Sequence, residues 1–379
     1  MLKILIITSG FGCGVTNYTK KLIFELKKHK NIELECSELR PGFFRLYLLR
    51  EIFQKKPDII HIQHEIVMFD DFLGISSIMI YMYAIFMRKK IVTTFHTVKS
   101  LINFENEIAG KYLRYPGIVF FAKQFIKYSF KLIDHFSDRI IVLTEASKSV
   151  LEKEYKIRNV KYIFHGFFNT ENVDMDDITA FRKELGIGLD EKVILLFGYP
   201  FEKKGYHHVI KSLPHVIKKH PKTKVVITGG IANADPDQTI SYLTILKKLS
   251  IELGVEKHVI FTDYIPDEKV PHLIASSQLA VFPFEDRQTA SGSLLTVYPY
   301  KKPLVVSDIP VMDFLDDEVD SIKVEKGNEN EIASAINLIF DDPNITNKLQ
   351  SNMNDRIESL SIGKMAEEHF KLYKELAAI

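Results

Sequence analysis

Apolar residues fall along this chain in short, nearly unbroken runs rich in Ile and Val, separated by stretches whose apolar positions recur about once per helical turn. "KILIIT" opens the series, and a glycine loop then leads into "TNYTKKLIFELKKH", where Tyr18, Leu22 and Leu26 stand four apart. The first pattern fits a strand buried on both faces and the second an amphipathic helix. The alternation continues through "DIIHIQHE" (58–65), a helical apolar segment from about 74, "KIVTTFHTV" (90–98), a long helix near 107–135 and "DRIIVLTEAS" (138–147). The polar, acidic "FNTENVDMDDI" (168–178) then reads as a linker. After it the pattern restarts with "KVILLFG" (192–198), "KVVITGG" (224–230), "HVIFTDY" (258–264), "LAVFPF" (279–284) and "PLVVSD" (303–308). The expectation is an α/β chain of two Rossmann-like, doubly wound parallel-sheet domains facing a central cleft, where ligands bind beyond the carboxyl ends of the strands. The expected parts are residues 1–172, residues 173–360 and a C-terminal helix over 361–379.

Composition supports two cores, since 379 residues at 46% hydrophobic content exceed one ordinary domain. "MLKILIITSG" is too brief for a signal-peptide core, and "FLGISSIMIYMYAIFM" (72–87) falls short of the roughly 18–20 residues that span a bilayer. Cys13 and Cys36 are too few for a disulfide framework or a thiolate metal site, which points to the cytoplasm. The net charge of +1 hides an asymmetry: residues 1–170 hold 26 Lys+Arg against 16 Asp+Glu, and the remainder 24 against 33. A basic first half suits an anionic membrane surface or a phosphate-bearing substrate, or else is a solvated lysine-rich face.

The candidate chemistry lies at strand ends. Gly10, Gly12 and Gly14 between the first strand and helix let backbone N–H groups approach a phosphate, or form a tight turn; their spacing is not that of a dinucleotide fingerprint. His96 ends "TTFHTV", where an imidazole faces the cleft and donates to a substrate oxygen or phosphate, unless it is structural. His61, Gln63, His64 and Glu65 gather at the end of the preceding strand; no metal-site spacing accompanies them. In "FGYPFEKKGYHH" the turn after Gly198 places Lys203 and Lys204 before a helix, which suits a diphosphate; two solvated surface lysines are the alternative. Ser291, Gly292 and Ser293 offer hydroxyl and N–H groups to an anion, or cap a helix. The strings "DMD" (174–176) and "DPD" (235–237) read as helix capping and solvation.

In order and spacing, "LLFGYPFEKKG", "VVITGG", "FTDYIPDEKV", "FPFEDRQTASGSLL" and "YKKPLVVSDIP" resemble the retaining glycosyltransferases of family 4, whose fold is GT-B. "GCGVTNYTKKL", "PDIIHIQHE", "TTFHTV", "DRIIVLTEAS" and "YIFHGF" resemble the same family's first half, so the likeness covers essentially the whole chain. It implies transfer of a sugar, with retention, from a nucleotide-diphosphate sugar co-substrate to a glycolipid, polysaccharide or other glycan acceptor. It also implies no metal or other cofactor, no nucleic-acid partner, and a last helix crossing back to the first domain. A peripheral place at the inner membrane face fits the basic first half.

Carried over residue by residue, the resemblance sets Gly14 at the donor phosphate, His96 beside the transferred sugar or acceptor, and Lys204 on the diphosphate, with Gly198 and Lys203 in the same turn. Gly229, Gly230, Tyr264, Ile265 and Pro266 border the base, and Ser291, Gly292 and Ser293 the sugar and phosphates. His61, Gln63, His64 and Glu65 are expected on the acceptor side. Two departures matter. Tyr199 and Phe201 stand where the family commonly has an arginine, and Gln288 and Thr296 replace its paired glutamates, with Glu285 a nearby substitute for the first. These losses leave open a second reading, a degenerate protein that binds a sugar nucleotide or a partner enzyme without turnover; a phosphorylase or epimerase on the same frame is a third.

Overall fold

The computed structural model describes residues 1–9, 14–39, 46–65, 75–102, 116–168, 170–229, 236–285 and 291–378. Among them β1 (Leu2–Ser9), β2 (Ile32–Leu39), β3 (Ile59–His64), β4 (Lys90–Phe95), β5 (Arg139–Val142) and β6 (Val160–Tyr162) form a six-stranded parallel sheet in the order β2-β1-β3-β4-β5-β6. A second parallel sheet contains β7 (Lys192–Leu196), β8 (Thr223–Ile227), β9 (Val259–Phe261), β10 (Leu279–Phe282), β11 (Leu304–Ser307) and β12 (Ile322–Val324), ordered β12-β11-β10-β7-β8-β9. Helices follow most strands, so each sheet is doubly wound, as the alternation of runs leads one to expect.

The chain divides into two compact units. One holds Met1–Gly166 and the Ile362–Ala377 helix, the other Phe167–Arg287 and Ser291–Ser361. The changeover precedes the acidic stretch because Phe167 belongs to the second core: its ring stacks on Tyr298 at 4.4 Å and its N–H donates to Leu360 O at 2.8 Å. Met175–Glu184 in that stretch is already helix.

In the first unit one sheet face carries Leu5, Ile7, Ile60, Ile62, Ile91, Ile140 and Val142, packed on Leu48, Ile52, Tyr81, Phe130 and Tyr155. Side chains alternate across a strand, so Ile6, His61, Gln63, Val92 and Thr94 occupy the opposite face. There the Gly14–Leu26 and Ile362–Ala377 helices bring up Tyr18, His369 and Tyr373. The Ile75–Phe86 helix buries Ile80, Tyr81 and Ala84 and exposes Met82, Ile85 and Phe86. No described helix is long and apolar enough to cross a membrane.

Candidate functional site

In the second unit the residues at the carboxyl end of the sheet converge on one turn. After β7 the chain reverses through Gly198 (φ +107°) and a single 3-10 turn, Glu202–Lys204, before the Tyr206–Lys219 helix. Lys204 lies within this turn at 8% exposure, whereas Lys203 is exposed. The Lys204 ammonium donates to Ser293 Oγ at 3.1 Å and stands 5.7 Å from the centre of the Phe284 ring. Gly198 makes that pairing possible, because a Cβ there would overlap Ser293 Oγ and come within 2.5 Å of Lys204 Nζ. The Gly198 peptide is held from both sides, its N–H donating to Thr228 Oγ1 (3.1 Å) and its carbonyl accepting from the Tyr206 hydroxyl (3.1 Å).

Gly229 (φ +119°) packs backbone to backbone on this turn: a Cβ would meet Gly198 C and O and Tyr199 N, each at 2.6 Å. Its place in the site is therefore to let two strand-end loops touch. Ser291 caps the Gly292–Val297 helix by accepting from Leu294 N–H (3.2 Å), Gly292 is exposed, and the Thr296 hydroxyl donates to Gly292 O (2.9 Å). Tyr264 is exposed, with Ile265 and Pro266 half-buried behind it. Glu285 faces His207 and His208, and its N–H donates to Lys203 O at 3.0 Å. Gly230 and Gln288 lie outside the described residues, as do Gly10, Gly12 and Asp235. Asp174 occupies the N-cap position of its helix without a side-chain cap bond, and Asp237 lies in the first turn of the Pro236–Glu252 helix.

The first unit's strand ends carry a different chemistry. His96 Nε2–H donates to Gln63 Oε1 (2.7 Å), and Gln63 Nε2 donates to His61 Nε2 (3.3 Å). His61 continues through Nδ1 to the Tyr373 hydroxyl (2.5 Å), with Thr94 Oγ1 2.7 Å from Nε2. Tyr18 presents its ring to His96 (5.0 Å) and His165 (4.7 Å), and its hydroxyl donates to His369 Nε2 (3.4 Å), since His369 Nδ1–H is given to Met365 O (2.8 Å). Burial keeps these rings neutral. It pushes His96 down to about 3, with His165 adding to the effect, and His64, His165 and His369 to about 4; His61 falls well below the usual value.

His61 and Gln63 are fully buried, 0% exposed, and Gln63 bridges His61 to His96. His96 spends its N–H on Gln63; the neutral ring's Nδ1 carries the lone pair and suits a substrate hydroxyl, not a phosphate oxygen. Glu65 accepts from the Thr97 hydroxyl (2.8 Å), His64 packs edge-on against Phe95, and Gly14 opens the Gly14–Leu26 helix with space around it. Sequence reasoning missed Tyr18, His165, His369 and Tyr373. The spacing of His369 and Tyr373, four apart on an amphipathic helix, was the available signal.

The sequence matches the family model "Glycosyltransferase Family 4" over residues 16–167 and "Glycosyl transferases group 1" over residues 177–358. An uncharacterized glycosyltransferase of Methanocaldococcus jannaschii is 27% identical over 238 residues, 60% of this chain and 58% of that protein. A GDP-mannose-dependent alpha-(1-6)-phosphatidylinositol monomannoside mannosyltransferase of Mycolicibacterium smegmatis is 31% identical over 114 residues, 30% of this chain and 27% of that one. The chain thus matches little more than half the length of the first relative and about a quarter of the second. Among solved structures, Anabaena Alr3699/HepE in complex with UDP superposes with a TM-score of 0.73 at 17% identity, over 99% of this chain and 100% of that one, which shows a shared fold. With one family model matching most of each unit and the architecture the same, the chain belongs to glycosyltransferase family 4 and has the GT-B fold.

Proposed function

We propose that this chain is a glycosyltransferase that takes a sugar from a nucleotide-diphosphate donor and transfers it with retention. The donor is assigned to the second unit, and the observation that carries the reading is Lys204, an ammonium sheltered behind Gly198 and hydrogen-bonded to Ser293. As the bond from the sugar carbon to the diphosphate breaks, its electron pair stays on the phosphate oxygen. The ammonium, neighbouring amides and Ser291–Ser293 meet that growing charge in place of a divalent ion. The acceptor hydroxyl joins the same face of the sugar and its proton passes to the departing phosphate, so no protein nucleophile enters. His96, oriented by Gln63, receives a sugar hydroxyl at Nδ1. The UDP held by the Anabaena structure supports a nucleoside diphosphate ligand. Donor screening by turnover tests this: release of sugar or transfer from at least one nucleotide-diphosphate sugar is expected, and tight nucleotide binding with no turnover in any acceptor mixture would instead favour the degenerate binder, which the Thr296 hydroxyl's engagement with its own helix favours.

The acceptor is assigned to a glycolipid or membrane-associated polysaccharide. The Pro116–Phe136 helix exposes Phe120, Phe121, Phe125 and Tyr128 with Lys123, Lys127 and Lys131 interleaved, an arrangement that suits the boundary of an anionic bilayer. Co-sedimentation with anionic vesicles at low salt is expected, and equally negligible binding to anionic and neutral vesicles would remove the membrane from the account.

A further inference from the structure

Behind the lysine turn, three elements of the second unit bring together a histidine pair and two carboxylates. His207 and His208 lie in the first turn of the Tyr206–Lys219 helix, Glu285 just beyond β10, and Glu329 opens the Glu329–Asp341 helix. His207 Nε2 and His208 Nε2 both point at one oxygen, Glu285 Oε1, each at 3.0 Å. The outer nitrogens are held as well: His207 Nδ1 by the Tyr242 hydroxyl (2.8 Å) and His208 Nδ1 by Glu329 Oε1 (3.0 Å). Lys211 Nζ, 3.3 Å from the same Glu329 oxygen, balances that second carboxylate.

We propose that His207, His208 and Glu285 form a binding site for a transition-metal cation of the zinc class, which clamps the lysine turn to the end of β10. Two imidazole nitrogens and a carboxylate are a ligand set that Zn²⁺ accepts, and an outer partner on each histidine is the usual means of fixing a ligating ring. The three ligand atoms lie within 4.8 Å of one another. Arms of about 2.0–2.1 Å in a tetrahedron set ligand atoms roughly 3.3 Å apart, so the two 3.0 Å separations need open only slightly. A ligating Nε2 carries no proton, so in the bound form each ring keeps one N–H, on Nδ1: that of His208 faces Glu329 Oε1 and that of His207 faces the Tyr242 hydroxyl, and any further proton goes to solvent. His207 also lines an open groove of about 380 Å³ with Glu202, Lys211 and Tyr242, which gives an ion and its water a way in. The clamp reaches the lysine turn because Glu285 N–H holds Lys203 O and Gly205 joins Lys204 to the histidine helix. It stands independently of the proposed donor chemistry.

The test titrates the full chain, stripped with chelator, with Co²⁺ and then Zn²⁺. One equivalent of Co²⁺ is expected to give the visible bands of a low-symmetry four-coordinate site, which Zn²⁺ abolishes, and Zn²⁺ is expected to raise the melting temperature by mass action. His208→Gln and Glu285→Gln each lower the affinity at least 10-fold, and Glu329→Gln, which touches only the outer nitrogen, lowers it about 10- to 100-fold while keeping the spectrum. Absence of the bands in a protein folded by circular dichroism overturns the proposal. So does Co²⁺ binding that is unchanged in a folded His207→Gln/His208→Gln variant, which puts the ion elsewhere.

Discussion

The two sheets end in opposite chemistry. Where the first sheet's strands stop, His61, Gln63, His96, His165 and His369 are neutral groups joined by hydrogen bonds and ring contacts, with His61, Gln63 and His369 buried and His96 and His165 half-buried. Where the second sheet's strands stop, an ammonium, a hydroxyl and close-packed glycine backbone form a charged turn. A neutral network fixes direction, which suits a sugar hydroxyl; a sheltered ammonium supplies charge, which suits a leaving diphosphate. The comparison predicts that changes in the second unit act on charge stabilisation and changes in the first on orientation.

The largest effect is expected from Lys204→Ala, which should lower kcat about 100- to 1000-fold with an unchanged circular dichroism spectrum. Near-normal turnover would break the charged half of the comparison. Gly198→Ala comes next: a side chain at φ +107° costs on the order of 1–3 kcal/mol and must displace either Ser293 or the ammonium. Both a lower melting temperature and a lower kcat are expected, and a variant that melts and turns over normally contradicts the packing described. His96→Ala should slow the chemical step about 10-fold while nucleotide affinity hardly moves, since it removes one directed hydrogen bond. The reverse ranking would take His96 away from the sugar.

These predictions rest on residues that the sequence exposes unevenly. Central strands were legible because burial on both faces demands runs such as "KILIIT" and "VVIT". The edge strands β2 and β12 were not: "IELECSEL" alternates Glu with apolar residues as a half-covered edge does, and "IKV" is too short to stand out. Likewise Lys204, Gly198 and Ser293 sit in local turns that advertise themselves. His61's partner Tyr373 lies 312 residues along the chain, and no local pattern announces such a pair.

The smallest effect is a pH dependence of stability that arises in the neutral network. His96 is held at about 3, and His64, His165 and His369 at about 4, by burial, against an ordinary value of 6.5. The folded state therefore binds these protons more weakly than the unfolded chain. The stability they contribute is full above about pH 6.5 and is lost as pH falls from there through about 4. Thermal melts between pH 7.5 and pH 4.5 should show the melting temperature falling with acidity, and His369→Gln should flatten that slope. A slope identical in the variant would contradict the buried neutral assignment.

Calorimetric titration of wild type and Lys204→Ala with a nucleoside diphosphate, and with the corresponding nucleoside, tests the central claim most directly. The account predicts that the substitution weakens the diphosphate about 10- to 100-fold and leaves the nucleoside as it was. Equal affinities for the diphosphate in both proteins, or an equal loss for both ligands, would contradict it.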